Sequence, residues 1–359
     1  MDDRRFSRRS ALRGAAAGAL AVAAGSIPLA GRVLAQGESM SLRMATSWAG
    51  GPLYDACVAF ADLVAARSGG RIAITVEKGG VLGKALEVPA TVASGGAELG
   101  HSWPAYDWQT DPGGVVLGGF PGTFGSLRQL HWITAGGGGA VWREHRGAVT
   151  GTVVVPMLVE TPEVFLHSRT PVRTSADLAG LKVRTSGVWS EIIAAWGAIP
   201  VAIPQGEIDA AFDAGEIDAF EFGTPSMNLA LGWDRVPYLV LPGLHQPGST
   251  FELTIAPAVW EGLSAADRSI IEESALAVTY DTWTSLGVAD NAAMATFAER
   301  GVTIVDLDPI FIDQIRVRGR AWVNDAARRD PAAAEVLAAY DAYRATWAGS
   351  ERWRGVDDE

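Results

Sequence analysis

Apolar positions along this chain switch between two periods. Residues 71–77 alternate, with Ile72, Ile74 and Val76 on one face, as a half-buried strand requires. Residues 52–67 place their apolar side chains at helical spacing and stop at Ser68-Gly69-Gly70. The spacing predicts strands over 41–48, 71–77 and 98–101, with helices over 52–67 and about 85–94. This β–α–β–α–β order predicts a mostly parallel sheet with helices on its faces. Residues 98–101 lead into a loop rich in aromatics, with Trp103, Tyr106 and Trp108. Pro121-Gly122 and Gly136 to Gly139 mark turns, and 152–160 reads as a strand leaving this first unit.

Residues 177–222 repeat the logic. A short apolar run at 181–183 delivers Arg184 at its carboxyl end. An apolar-periodic segment follows at 188–196, then an extended run at 199–204 and a second helix over 206–215. Gly215 sits where a helix C-cap glycine is wanted. A strand at 217–222 delivers Glu221 at its far end. In open α/β sheets ligands sit outside the carboxyl ends of the strands. One strand–helix–strand–helix–strand unit therefore aims a cation and a carboxylate at the same crevice.

Downstream, 250–256 alternates Phe251, Leu253 and Ile255 against Glu252 and Thr254, and is expected to recross towards the first unit. Ser264-Ala-Ala-Asp267 is a capping-box-like start to a long helical pattern reaching about residue 300. A strand at 302–307 and helices over 309–327 and 331–347 complete the chain.

Composition narrows the function. The 359 residues suffice for two ordinary domains, and at 48% hydrophobic they can bury a large core. A formal charge of −12 makes nucleic acid a poor partner. Residues 1–35 read as an export signal, not as fold. Ser7-Arg8-Arg9-Ser10-Ala11-Leu12-Arg13 resembles a twin-arginine signal, and Val33-Leu34-Ala35 offers small residues for cleavage before Gln36. The uncharged run 14–30 is poor in Leu and Ile and broken by Pro28, which makes it a poor spanning helix. Removing six arginines and two aspartates with the leader takes away a net +4 and leaves −16.

Several chemistries find no footing. A single cysteine, Cys57, allows no intrachain disulfide and sits in an amphipathic helical pattern. The five histidines lack zincin-like spacing. Gly136 to Gly139 lacks the Lys-Ser/Thr of a phosphate loop, and Gly83-Lys84 is followed by Ala85.

Three runs taken in order carry a family resemblance. They are Asp177-Leu-Ala-Gly-Leu-Lys-Val-Arg184, Gly206-Glu-Ile-Asp-Ala-Ala-Phe-Asp-Ala-Gly215 and Glu216-Ile-Asp-Ala-Phe-Glu-Phe222. They resemble the DctP-type solute-binding proteins of TRAP (tripartite ATP-independent periplasmic) transporters. The likeness extends over about residues 41–340, and the later runs are similar to the branch that binds 2-oxo and related 2-hydroxy acids.

The resemblance implies a two-domain periplasmic-binding-protein (Venus-flytrap) α/β fold, with a long domain-bridging helix and C-terminal helices. It implies a first domain over 36–158 plus a returning strand and helix at about 252–308, a second over 159–251, and terminal helices over 309–359. It further implies a non-enzymatic periplasmic receptor that captures a small carboxylate and delivers it to a TRAP membrane permease. In some members the terminal helices mediate homodimers.

Residue roles follow from the same likeness. Arg184 would clamp the substrate carboxylate, for which a planar guanidinium fork is well suited. Glu221 and the backbone carbonyl of Phe222 would hold a calcium or sodium ion that also touches the substrate. The branch typically has Trp where this chain has Phe222. Glu252, in His245-Gln-Pro-Gly-Ser-Thr-Phe-Glu252, matches a His-x-Pro-Gly-x-x-x-Glu run and would line the cation site. Glu163 falls near a Gln that serves the cation or a substrate oxygen. Three such carboxylates with a monoanionic ligand against one arginine would favour a divalent ion. Trp48, Trp103 and Tyr106 would cover the ligand.

Read from residue types alone, these positions also fit a strand-end Arg, solvated carboxylates and core aromatics. A periplasmic enzyme using Glu221 and Glu252 as acid and base is one rival. A receptor serving an ABC importer or a chemoreceptor is another.

Overall fold

The computed structural model describes residues 39–349 and Trp353. The export signal expected at 1–35 lies outside the described residues. In chain order the strands are β1 (Met40–Thr46), β2 (Ile72–Glu77), β3 (Leu99–Ser102), β4 (Val153–Val159), β5 (Leu166–Ser168) and β6 (Lys182–Arg184). They continue with β7 (Ile199–Val201), β8 (Ala219–Phe220), β9 (Tyr238–Leu241), β10 (Thr250–Ile255) and β11 (Thr303–Asp306).

The strands form two sheets, in the orders β2-β1-β3-β10-β4 and β11-β9-β5-β8-β6-β7. In the first, β1 pairs parallel with β2 and β3, while β10 lies antiparallel between β3 and β4. In the second, β6 pairs parallel with both β7 and β8. The two helices of that unit are Trp189–Ala194 and Ile208–Asp213, as the periodicity of 177–222 predicts. The α/β architecture with one long helix and two terminal helices is the expected one.

Three expectations need correction. The resemblance groups the strand expected at 302–307 with the first domain, yet β11 pairs parallel with β9, Thr303 opposite Tyr238. The reason is length. The helix Ala265–Glu299 has 35 residues and spans about 50 Å, far enough to carry the chain from one sheet to the other. Its Thr279 accepts the Leu158 N–H of β4 at 2.8 Å. Further along, its Asp290 accepts from Thr224 Oγ1 and Ser226 N at 2.8 Å. Secondly, 112–150, read only for its turns, holds three helices, Pro112–Gly118, Ser126–Thr134 and Gly138–Thr150. Two of the four consecutive glycines begin the last of these. A Cβ on Gly138 would lie 2.6 Å from the Trp132 ring, and one on Gly139 2.4 Å from the Ile133 carbonyl. Close helix approach, not loop freedom, accounts for them.

The third correction concerns β10. Its alternation predicts one wet face, but all six residues are buried. Phe251 packs against Trp48 and His101. The other face is covered by the helix Gly138–Thr150, whose Arg146 reaches Glu252.

The β4–β10 pairing carries an irregularity that matters for the site. Thr250 lies opposite Val159 but Glu252 opposite Pro156, so β4 has one extra residue there. Leu158 adopts φ 84°, the left-handed region that non-glycine residues rarely enter. Its N–H leaves the ladder and is satisfied by Thr279. An extra residue of this kind shifts the inward–outward alternation beyond it. Glu160 follows directly, with its N–H fixed to the Ser249 carbonyl at 2.9 Å.

Candidate functional site

The ends of β4, β6 and β8 converge with the loop before β10 on one pocket. Arg184, Glu221, Glu163, Glu160 and His245 supply its charged lining. Trp48, Trp103, Tyr106, Trp189 and Phe222 supply aromatic walls.

Arg184 ends β6 and is 2% exposed. Its Nε donates to the Ile203 carbonyl at 3.1 Å, and its Nη1 to the Glu221 carbonyl at 2.8 Å. These bonds lock the guanidinium plane. Nη2 makes no hydrogen bond to the described residues, which leaves donors of this pocket-lining side chain unused. The Phe222 ring lies 5.8 Å from the guanidinium carbon.

Glu221, Glu163 and His245 form a buried cluster. One ligand atom from each lies within 4.8 Å of the others. His245 Nε2 stands 3.4 Å from Glu163 Oε2 and 3.7 Å from Glu221 Oε2. Its ring packs against Trp189 and Phe165, with centroids 5.6 Å away in both cases. Glu221 Oε1 accepts from the Ser186 N–H at 3.1 Å, and Glu163 Oε1 from Ser249 Oγ at 2.9 Å. Glu163 Oε2 and both imidazole nitrogens have no hydrogen-bond partner of good geometry.

Electrostatics follow from this crowding. Burial alone would depress the His245 pKa, but Glu163 and Glu221 outweigh it and raise it to about 9. Burial opposes charge on Glu221 as well, yet His245 and Arg184 hold that carboxyl below its ordinary value. At Glu163, burial and the Glu221 charge prevail over His245 and Ser249, and the pKa rises. Burial also pushes the Tyr106 phenol up, so it stays a neutral hydrogen-bonding group.

Two carboxylates and an imidazole with unsatisfied atoms pointing together fit a cation. Carboxylate oxygens suit calcium or sodium, and an imidazole nitrogen in direct ligation would suit a transition metal better. Glu163, Glu221 and a monoanionic ligand against Arg184 leave two negative charges when His245 is neutral, and one when its raised pKa keeps it protonated, so a bound cation and the His245 proton compete.

The structure brings together Arg184, Glu163, Glu221, Phe222, Trp48, Trp103 and Tyr106. It does not bring Glu252 there. Glu252 is fully buried and accepts from Arg146 Nη2 at 2.6 Å and Trp142 Nε1 at 2.8 Å. Arg146 extends the network to Asp111 at 2.6 Å and Asp107 at 3.0 Å. An acid–base pair of Glu221 with Glu252 therefore has no shared site. Trp48 faces the pocket while its Nε1 is committed to His101 Nδ1 at 2.9 Å, and Trp103 Nε1 donates to the Gly118 carbonyl at 3.0 Å.

Sequence reading missed His245, Gln246, Glu160, Ser186 and Trp189, all lining the pocket. A signal existed for three of them. His245 and Gln246 open the very run used to select Glu252, and Glu160 ends an expected strand just as Glu221 does.

Loops of the two sheets also touch each other. The Ala49 N–H donates to Gln205 Oε1 at 2.9 Å. Gly187, with φ +66°, abuts the Trp103 ring, which an added Cβ would meet at 2.8 Å.

Comparison with known proteins gives consistent findings. The family profile DctP, for bacterial extracellular solute-binding proteins of family 7, matches residues 45–330. A monocarboxylate 2-oxoacid-binding periplasmic protein of Nostoc sp. (strain PCC 7120) is 23% identical over 304 residues, covering 84% of this chain and 83% of that one. A TRAP transporter solute-binding protein of Bordetella bronchiseptica, solved with copurified calcium and picolinate, superposes with TM-score 0.82 at 20% identity. The match covers 88% of this chain and 94% of that one. A TRAP periplasmic solute-binding protein of Pseudoalteromonas atlantica, solved with sodium and pyruvate, gives TM-score 0.81 at 23% identity, covering 88% and 97%.

Proposed function

The chain belongs to the DctP family of bacterial extracellular solute-binding proteins, and on that premise we propose that it captures a small 2-oxo or 2-hydroxy acid bridged by a cation. The observation that carries the reading is the joint placement of Arg184 with Glu163 and Glu221 in one buried pocket. Arg184 takes the ligand carboxylate on its remaining donor edge. Glu163 and Glu221 hold a calcium or sodium ion against the ligand oxygens, with the Phe222 carbonyl available beside them. Two carboxylates and the ligand charge against one arginine favour calcium once the cation displaces the His245 proton. The relatives described above, with calcium and picolinate or sodium and pyruvate, support this ligand class.

The two sheets correspond to two lobes that close on the ligand, with β4, β10 and the long helix as the connections between them. We place the receptor outside the cytoplasm after twin-arginine export, delivering its ligand to a TRAP permease without covalent chemistry. The terminal helices are available for a homodimer.

The test is thermal unfolding against a panel of acids with calcium, with sodium and with chelator. Binding to the native state raises the melting temperature by mass action. A shift with monocarboxylates that disappears in chelator and in Arg184→Ala supports the reading. A shift that survives chelator removes the cation bridge, and no shift with any acid removes the carboxylate.

A further inference from the structure

We propose that Glu160 is a specificity-determining residue, accepting a hydrogen bond from a hydroxyl or amine N–H on the bound acid. The pocket then selects small carboxylates that carry such a donor over their plain alkyl counterparts. This rests on the reading of the pocket as a carboxylate receptor.

Geometry carries the inference. Glu160 lines the same pocket as Arg184 and Glu221 and is 1% exposed. Its Oε2 is buried and has no hydrogen-bond partner. The left-handed Leu158 and the bond from the Glu160 N–H to Ser249 fix the backbone that presents it. Native proteins leave few buried polar atoms unpaired, and this one lines the pocket, where a ligand donor can satisfy it.

Charge and complementarity decide what kind of group it meets. Burial, and then the nearby carboxylates Glu163, Asp290 and Glu221, push the Glu160 carboxyl well above the ordinary range. A ligand donor is favoured in that negative surrounding, and a ligand acceptor is disfavoured. Even when protonated, the carboxyl keeps an acceptor oxygen beside its O–H, so a ligand donor still finds a partner there. Acceptor atoms of the ligand have other partners. Trp189 Nε1 and Ser186 Oγ line the same pocket and are likewise buried without a bond. An alkyl substituent would leave Oε2 sealed from water and unpaired, a penalty on the order of tenfold or more in affinity.

The experiment is calorimetric titration of the full chain with paired acids that differ only by a hydroxyl. Pyruvate with 3-hydroxypyruvate, lactate with glycerate, and 2-hydroxybutanoate with 2,4-dihydroxybutanoate are suitable probes. Wild type, Glu160→Gln and Glu160→Met are compared. The hydroxylated member of at least one pair is expected to bind wild type about tenfold tighter or more. That ratio should fall to near one in Glu160→Met and largely persist in Glu160→Gln, whose amide oxygen still accepts. Equal binding of both members of every pair by wild type, or a ratio that survives Glu160→Met, overturns the inference and leaves the carboxylate receptor standing. Failure of every acid to bind wild type overturns that receptor reading, and this inference falls with it.

Discussion

Arg146 closes on Glu252 at 2.6 Å, with both side chains fully buried. The pair is structural. It ties the helix Gly138–Thr150 to the interior strand β10 and, through Asp111 and Asp107, to the loop after β3. Removing one partner leaves a buried charge uncompensated. Glu252→Gln and Arg146→Met are each expected to cost about 3–5 kcal/mol of stability. Chemical denaturation measures the loss. Cation and acid affinity of the Glu252→Gln protein that remains folded should be unchanged, and a selective loss of cation binding would return Glu252 to the site.

Arg184 has no equivalent substitute. Lysine keeps the charge but cannot hold the Ile203 and Glu221 carbonyls and still present a donor edge. Arg184→Lys should weaken acid binding by about a hundredfold, as expected when a hydrogen-bonded buried charge pair loses a partner. Calorimetry would show it, and wild-type affinity in the lysine variant would mean that the carboxylate binds elsewhere.

Glu163 sets the charge available to the cation. Glu163→Gln removes one negative charge from the cluster with Glu221 and His245. The expected outcome is weaker calcium dependence of ligand binding and a shift in preference towards sodium. Ligand titrations in each ion after chelator treatment test this. An unchanged ion preference would place the cation away from Glu163.

Gln205 links the loop after β7 to the loop after β1 by accepting from the Ala49 N–H, a contact that would help hold the two proposed lobes closed. Gln205→Ala should weaken ligand binding by about fivefold, one ordinary hydrogen bond, with little change in the unfolding midpoint of the ligand-free protein. Equal effects on affinity and on ligand-free stability would make this contact part of the resting fold instead.

Acid stability should depend on Asp267. Arg71 lies 2.5 Å from its carboxylate, and with Ser264 holds its pKa below the ordinary value. A depressed carboxyl stabilises the fold above its unfolded pKa of about 3.9 and loses that contribution as pH falls through the folded value. Wild type should therefore exceed Asp267→Asn in stability at neutral pH, with the gap closing below about pH 4. A gap that is constant with pH would mean that the salt bridge does not drive it.

The chain order by itself determined the α/β class, the long helix and the unit from β6 to β8. Those elements depend on local periodicity, on Gly215 as a stop and on short connections, all encoded by neighbours in sequence. For the same reason Arg184 and Glu221 were legible, since a strand-end residue in such a unit has only one crevice to face. Tertiary structure decided the rest of the site. Whether Glu252 or its neighbour Phe251 meets the pocket depends on which face of β10 is covered and by what, and the cover is a helix over a hundred residues earlier. Glu160 and Glu163 reach the pocket after an extra residue in β4, held in a left-handed conformation by a hydroxyl on the long helix. A side-chain period of two makes one inserted residue enough to reverse a face. His245 likewise became a site residue only when packing set it between Trp189 and Phe165, against two carboxylates drawn from elsewhere in the chain.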